Sequence, residues 1–282
     1  MARYNFFERM EREINFQFEY EKIENIILNE KNGYCTLEDE ISENFRRWRL
    51  RKNFDSFLEL KEYLGFKTEK ILKGYTVAWK ATGEVKSVDT FILDCEMIIN
   101  MIFGVIEPDL QSHYRKCINA VQSLIDYDLE QINHYIYRTE DGKYLVVQKD
   151  AAASAVADIV APELADAIIE YNHHLLKGDL KSKKLILKQI ADALEPRRAE
   201  LKTVNKTIEN DFFYMINTMN VRHNNCDVSD PSKYNEKFAN LTDREKEEWY
   251  DEIYQEGLMA YLSLEQVDRE KKILDFKTKQ KK

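Results

Sequence analysis

One polar cluster in this 282-residue chain has residue types suited to acid–base chemistry on a phosphate. The run 217–225 contains Arg222, His223 and four asparagines. A histidine can take or give a proton near pH 7, and an arginine can bind a phosphate through two hydrogen bonds and stabilise charge that develops on it. Together they could cleave RNA without a metal: the histidine moves the 2′-hydroxyl proton, and the arginine stabilises the pentacovalent phosphate. The asparagines that could orient these two groups are Asn217, Asn220 and Asn224.

The same cluster also fits a structural role. It follows an apolar helical pattern that includes Phe212, Phe213 and Ile216. Asparagine and cationic residues are favoured where a helix ends. Residue types and spacing alone therefore leave the catalytic and the capping interpretations open.

Charge limits any interaction with nucleic acid to local patches. The chain carries a net charge of -9, and a field of that sign repels nucleic acid. The stretch 177–202 is basic, with eight Lys or Arg residues against four acids, and a second patch lies at 46–52. Such patches are typical of an RNA footprint, although a solvated helix face is the more frequent explanation. The RNA-binding candidates in the first patch are Lys181, Lys183, Lys184, Arg197 and Arg198.

A third cluster is acidic and lies where the last predicted helix begins. Negative charge there complements the helix dipole. A metal site is the alternative, but the structural explanation is sufficient, and we predict no metal. The acids are Glu245, Glu247, Glu248, Asp251 and Glu252.

Several classes of protein lack their usual signatures here. The sequence has no Gly-rich phosphate loop, no His-Glu-x-x-His, no Gly-x-Ser-x-Gly and no closely spaced cysteine pair. Four widely separated cysteines indicate free thiols in a reducing compartment. The amino terminus lacks the apolar core of a secretory signal, and the longest apolar stretch, 91–106, contains Asp94, Glu96 and Asn100. We therefore expect a cytoplasmic protein without a membrane span.

The composition favours helices. Hydrophobic residues make up 44% of the chain and charged residues 33%, which is typical of a globular protein, while only eight glycines and four prolines mark turns. The pattern predicts helices up to about Leu72, a weak strand or loop at 75–86, a helix from Ser87 to about Phe103 and another at about 110–133. Asp141-Gly142 between two β-branched and aromatic runs predicts a hairpin of 134–138 with 143–147.

The second half predicts a bundle of four or five helices. Pro162 is predicted to lie in the first turn of a helix. Gly178 is predicted to end that helix in a left-handed conformation, and Ser182 is predicted to cap the next helix. A helix from Thr207 runs into the cluster, and a capping box at 242–245 starts a long last helix. Gly257 within that helix indicates a close approach by another backbone.

The predicted fold is mainly α-helical, with a small β-hairpin near the middle of the chain. We assign an N-terminal helical region to 1–105, a helix and hairpin connector to 106–149, and a helical bundle to 150–276.

The run from Asp211 to Asn225 resembles the Asn-rich, Arg-His segment of bacterial abortive-infection proteins, whose C-terminal domains are grouped with the HEPN superfamily. The segment 248–255 and the Leu176-Lys177-Gly178-Asp179 segment before a Lys-rich helix fit the same resemblance, which covers about residues 150–275. The superfamily motif is usually an arginine, a short polar gap and a histidine. Here Arg222 and His223 are adjacent and no histidine follows, so the chain has either an Arg-His variant or an incomplete catalytic arrangement.

The resemblance implies an all-α, HEPN-like bundle that is often a homodimer, with an arginine and a histidine near the dimer interface. Many members are metal-independent RNases of phage-defence or toxin systems, and others are inactive and act in binding. On that pattern Arg222 and His223 form the catalytic pair, supported by Asn217, Asn220 and Asn224. No cofactor is implied.

Three hypotheses follow. The first is a metal-independent RNase or an RNase-derived effector of phage defence. The second is a non-catalytic helical protein that dimerises or binds an unidentified protein partner, with Arg222 and His223 holding the loop 224–240 in place. The third is a nucleic-acid-binding regulator that uses the basic patches.

Overall fold

Helices account for most of the residues that the structure describes, which are 14–66, 68–72, 75–79 and 86–279 of the computed structural model. The predicted mainly α-helical fold is confirmed. The chain divides into two units, Met1–Gln148 and Lys149–Lys282, and each is described by itself. Among the described helices, none combines the length and the apolar character that crossing a bilayer requires.

The first unit combines helices with short antiparallel hairpins. Its helices are α1 (Phe16–Asn29), α2 (Leu37–Asn44), α3 (Phe57–Leu64), α4 (Val88–Val105), α5 (Pro108–Gln111) and α6 (Arg115–Gln131). Its hairpins pair β1 (Lys31–Asn32) with β2 (Cys35–Thr36), β3 (Thr68–Leu72) with β4 (Tyr75–Trp79), and β5 (His134–Arg138) with β6 (Tyr144–Gln148). The core lies between α1, α4 and α6, and the helix and hairpin predicted as a connector belong to this unit.

Strand β3 corrects the prediction of helices up to about Leu72. It pairs with β4 in a register that places Lys70 opposite Val77. The charged residues within β3 obscured its β character, because strand preference depends on pairing with a partner as much as on composition. The weak strand predicted from Tyr75 is present up to Trp79, and the rest of that prediction, 80–85, lies outside the described residues.

The predicted middle hairpin is confirmed, with its second strand one residue later than expected. Polar side chains of α4 hold it. The Asn100 amide donates to the Tyr144 carbonyl at 2.6 Å and accepts from the Tyr144 N–H at 2.9 Å, and a Glu96 carboxylate oxygen accepts from the Val146 N–H at 2.7 Å. Two of the three polar residues that interrupt the apolar stretch of α4 therefore bind the edge of β6.

One carboxylate of the first unit is buried without compensation. Asp128 on α6 is 2% exposed, and its Oδ2 atom has no hydrogen-bond partner among the described residues. Burial, followed by the nearby Glu19 carboxylate, raises the pKa of Asp128 to about 7, although Lys22 opposes the shift. The folded protein therefore favours the protonated form of this side chain.

Asp128 should make stability depend on pH. Because its pKa is higher in the folded than in the unfolded chain, where it is near 3.8, its contribution is favourable at low pH and is lost as the pH rises to about 7. Asp128→Asn should remove this loss and raise the free energy of unfolding above pH 7 by about 1–2 kcal/mol. Urea denaturation across this pH range measures the difference. Exposed Asp55→Asn is the control, and an unchanged pH profile in Asp128→Asn would contradict the assignment.

The second unit is a helical bundle. Its helices are α7 (Ala151–Ala157), α8 (Pro162–Glu170), α9 (Leu180–Leu194), α10 (Arg198–Val204), α11 (Lys206–Thr218), α12 (Glu236–Ala239) and α13 (Asp243–Lys279). The 37-residue helix α13 packs against α7, α9, α10 and α11.

Local signals in this unit are mostly confirmed. Pro162 begins α8, and Thr242 and Glu245 form the predicted capping box. Gly178 is left-handed with φ of 81°, but it does not end α8 as predicted, because that helix already ends at Glu170. The predicted cap of α9 is wrong: Asp179 is the cap, because its carboxylate accepts the N–H of Ser182 at 3.0 Å.

Gly257 brings α13 close to two neighbouring helices. A Cβ atom at this position would lie 3.0 Å from Ile190 Cγ2 and 3.1 Å from Phe212 Cε2. The close approach predicted from the glycine is therefore real, but it is made by side chains of α9 and α11 and not by a backbone.

Gly257→Ala should destabilise the bundle. Crowding against Ile190 and Phe212 costs about 1–3 kcal/mol, whereas the higher helix propensity of alanine returns about 1 kcal/mol. A net loss of about 1 kcal/mol in chemical denaturation is expected. Exposed Glu252→Ala on the same helix should cause no loss. A gain in stability for Gly257→Ala would show that the contact relaxes freely.

Candidate functional site

The predicted catalytic cluster lies where α11 ends. Asn217 is in the last turn of the helix, and Asn220 adopts a left-handed conformation with φ of 60°. The N–H of Arg222 donates to the carbonyl of Ile216 at 3.1 Å, and Val221 is buried beneath this turn. A left-handed residue followed by such a closure is a common helix end. Asn220 thus terminates α11.

Asn225, which had no role in the sequence-based hypothesis, closes the loop. It is 3% exposed. Its side-chain oxygen accepts the N–H of Asn220 at 2.9 Å, and its amide donates to the carbonyl of Lys233 at 2.6 Å. Its own carbonyl accepts the N–H of Asn235, whose side chain in turn donates to the carbonyl of Thr218 at 2.9 Å. The loop is therefore tied to the end of α11 at both of its ends.

The remaining asparagines occupy different environments. Burial, followed by the neighbouring Cys226, raises the pKa of Tyr250 to about 12. A hydrogen bond with the side chain of Asn220 opposes this shift. Asn224 is exposed, with its amide 3.4 Å from Asp227 Oδ2, and Asn217 is half-buried. Of the three predicted supports, only Asn224 is fully at the surface beside Arg222 and His223.

Arg222 is bound by two carboxylates of the same unit. Its Nη1 atom lies 2.9 Å from Glu195 Oε2, and its Nη2 atom lies 3.5 Å from Asp192 Oδ1. The arginine side chain is 23% exposed. His223 follows it and is half-buried. Glu195 is shared by two arginines, because Arg198 Nη1 also lies 3.5 Å from its Oε1 atom, and a phosphate would compete with Glu195 for Arg222.

The five predicted RNA-binding residues are not equivalent. Arg197 binds Glu200 and Asp268, and Arg198 binds Glu209 at 2.6 Å. Their charges are therefore partly neutralised within the unit. Lys181 is exposed and Lys184 is half-buried, and burial lowers the pKa of Lys184.

Lys183, the fifth, is excluded from an RNA surface because it is buried in an ion-pair network. Its Nζ atom lies 2.8 Å from Glu247 Oε1 and 2.7 Å from Asp251 Oδ1. The hydroxyl of Tyr171 also donates to Asp251, and the N–H of Gly178 donates to Glu247. Two acids that the sequence linked to the helix dipole of α13 thus neutralise a buried lysine of α9.

The network also changes proton affinities. Burial by itself would raise the pKa of Glu247, but the hydrogen bond from Gly178 and the ammonium of Lys183 outweigh it and hold that pKa below its usual value. Burial and the adjacent Asp251 carboxylate raise the pKa of Tyr171 far above its usual range. Both groups therefore keep their ordinary charge states at neutral pH, which suits a structural network.

The loop after α11 follows a charged stripe on α9. The stripe consists of residues at helical spacing that change from basic to acidic: Lys181, Lys184, Lys188, Asp192 and Glu195. Arg222 binds its acidic end, while Cys226 lies near enough to Lys184 to affect its pKa. Arg222 and Cys226, the two ends of the bent segment 222–226, therefore both lie beside α9.

Comparisons with protein-family models, with curated proteins and with solved structures found no match for this chain.

Asn225 should contribute more to stability than its exposed neighbour. Asn225→Ala leaves the Asn220 N–H and the Lys233 carbonyl without their partner and should lower the free energy of unfolding by roughly 2–3 kcal/mol. Asn224→Ala should change it by less than about 0.5 kcal/mol. Limited proteolysis of the loop, followed by mass spectrometry, should show faster cleavage for Asn225→Ala only. Equal protection in both variants would contradict the proposed closure.

Proposed function

We propose that the second unit is an HEPN-like domain that acts on RNA, as a metal-independent RNase or an RNase-derived effector of a phage-defence system in the cytoplasm. The observation that carries the proposal is the position of segment 222–226 beside the α9 stripe. It brings Arg222, the predicted phosphate ligand, to the helix that carries the basic residues Lys181, Lys184 and Lys188, and His223, the predicted proton carrier, is the next residue in the chain.

An RNA strand on this flank would run from the lysines towards the loop. Phosphates beside Lys181 and Lys188 gain electrostatic binding, and this binding should weaken with added salt. The next phosphate along the strand would reach Arg222 and His223. The net negative charge of the chain makes a local basic flank necessary, because the overall field repels RNA.

The chemistry is a transesterification. His223 removes the proton from a 2′-hydroxyl, the 2′-oxygen attacks the adjacent phosphorus, and the bond to the 5′-oxygen breaks as that oxygen receives the proton. Arg222 stabilises the additional negative charge on the phosphate in the transition state. The products carry a 2′,3′-cyclic phosphate and a 5′-hydroxyl group.

The ion pair of Arg222 gives the proposal a specific requirement. To bind a phosphate, the guanidinium must exchange Glu195 for the ligand, since both compete for the same donors. Glu195 would then restrain Arg222 in the absence of RNA.

The second candidate function is that of a non-catalytic interaction protein. The ion pair of Arg222 with Glu195 also favours this function, because the pair would then serve only to hold the loop against α9.

Glu195→Gln separates the two candidates. If Arg222 binds RNA phosphate, freeing it should tighten binding of labelled single-stranded RNA by about threefold to tenfold, and Arg222→Ala should weaken binding by about tenfold. His223→Ala should lower cleavage in EDTA by at least about 100-fold without changing binding. Fluorescence anisotropy and gel analysis of the RNA measure these effects. Expression of the variants in bacteria tests whether toxicity follows cleavage.

Exposed Arg244→Ala is the matched control, because Arg244 also pairs with a carboxylate but lies on α13. It should leave binding and cleavage unchanged. If Glu195→Gln and Arg222→Ala both lower thermal stability while RNA binding stays at the wild-type level, the RNA role is rejected and the bracing role is supported.

A further inference from the structure

Helix α13 has an outer face that its own unit does not cover. Its inner face is buried against the bundle, at positions that include Ile253, Gly257 and Leu264. On the opposite side, residues alternate at spacings of three and four, which is the spacing of a coiled-coil contact. We call these residues the outer seam: Met259, Leu262, Gln266, Arg269, Ile273 and Phe276.

The apolar part of the outer seam is solvent-exposed. Met259 is 48% exposed, Ile273 51% and Phe276 62%, while Leu262 is half-buried. Every residue from Arg269 to Lys279 is exposed, so the last three turns of α13 bury none of their side chains, although Lys271 lies 3.8 Å from Glu200 of α10. Short helical segments without a packed face are marginal in water, so a partner for this face would stabilise it.

An antiparallel copy of the seam matches its own pattern. With Met259 placed opposite Phe276 of a second chain, Leu262 lies opposite Ile273 and Gln266 lies opposite Arg269. Apolar residues then meet apolar residues, and polar residues meet polar residues. A two-fold axis between positions 267 and 268 repeats each pair, as a closed homodimer interface requires.

The charges beside the seam favour the same arrangement. In the antiparallel register, Glu265 lies beside Lys272 of the second chain. A parallel register would instead place Arg269 on its own copy, Glu265 beside Glu270, and Lys272 beside Lys277. Opposite charges at flanking positions select the orientation of a helix pair, and like charges disfavour it.

The wider charge distribution of α13 agrees with this orientation. Residues 243–256 contain seven acids and two bases, whereas residues 269–279 contain five bases and two acids. An antiparallel second helix brings basic residues to that half.

We propose that a second copy of this chain binds the outer seam, so that two α13 helices pair in antiparallel orientation. This interface differs from the one that the family resemblance implies, because neither Arg222 nor His223 belongs to the seam. The proposal therefore does not depend on the RNA activity.

The first test is the mass of the full-length chain in solution, measured by analytical ultracentrifugation over a range of concentrations. The wild type should dimerise, and Ile273→Asp should weaken the dimer at least tenfold. Leu274→Asp is the matched control: this neighbouring side chain is 65% exposed but lies outside the seam. Both side chains are exposed, so circular dichroism and thermal unfolding should show unchanged monomers.

The second test is the orientation. In the antiparallel pair, Lys272→Glu should weaken the dimer, and adding Glu265→Lys should restore it. In a parallel pair, Lys272→Glu would remove repulsion from Lys277 and strengthen association. A wild type that stays monomeric, a dimer that tolerates Ile273→Asp, equal disruption by Leu274→Asp, or a dimer strengthened by Lys272→Glu would each overturn the proposal.

Discussion

The second unit depends on the close packing of α13 against α9 and α11 at Gly257. Without a side chain there, Ile190 and Phe212 can both contact the helix surface. This contact fixes α9 and α11 beside each other, because both pack on the same turn of α13. The end of α11 then meets the end of α9, which is why Arg222 reaches Glu195. The candidate site is thus a consequence of helix packing some distance away from it.

Some charged side chains of the second unit are neutralised within it, and others are exposed to solvent. Lys183 faces inward and is neutralised by α13, whereas Lys181, two residues earlier on the same helix, faces solvent. Positions two residues apart on a helix differ in direction by about 200°, so neighbouring lysines in sequence can have unrelated roles. Arg222 combines both properties, because it forms ion pairs with carboxylates and is also partly exposed. Whether it braces the loop or binds phosphate is decided by the competition between Glu195 and a ligand.

The first unit uses polar groups differently. Glu96 and Asn100 of α4 satisfy backbone groups of β6, so their burial is compensated by hydrogen bonds. Lys86, which precedes α4, forms an ion pair with Asp94 of α4, and its ammonium group also lies over the ring of Tyr20. Asp128 has no such compensation, and its proton affinity rises for that reason. Satisfied and unsatisfied polar groups therefore coexist in one small unit.

The sequence by itself determined the features whose partners lie within a few residues. The cap at Ser87, the hairpin around Asp141-Gly142, the left-handed Gly178 and the Thr242 capping box all follow from local backbone chemistry. The mainly helical class followed from composition and period for the same reason. These features were predictable because each depends on short-range geometry.

Tertiary structure decided the features whose partners are distant in the chain. Lys183 meets Asp251 across 68 positions and Arg222 meets Asp192 across 30, so no local pattern distinguished them from other charged residues. Asn224 and Asn225 are adjacent and chemically identical, yet only Asn225 is buried and binds the loop. The sequence located the cluster correctly as a helix end. Burial and long-range pairing, which depend on how the helices pack, assigned each residue its environment.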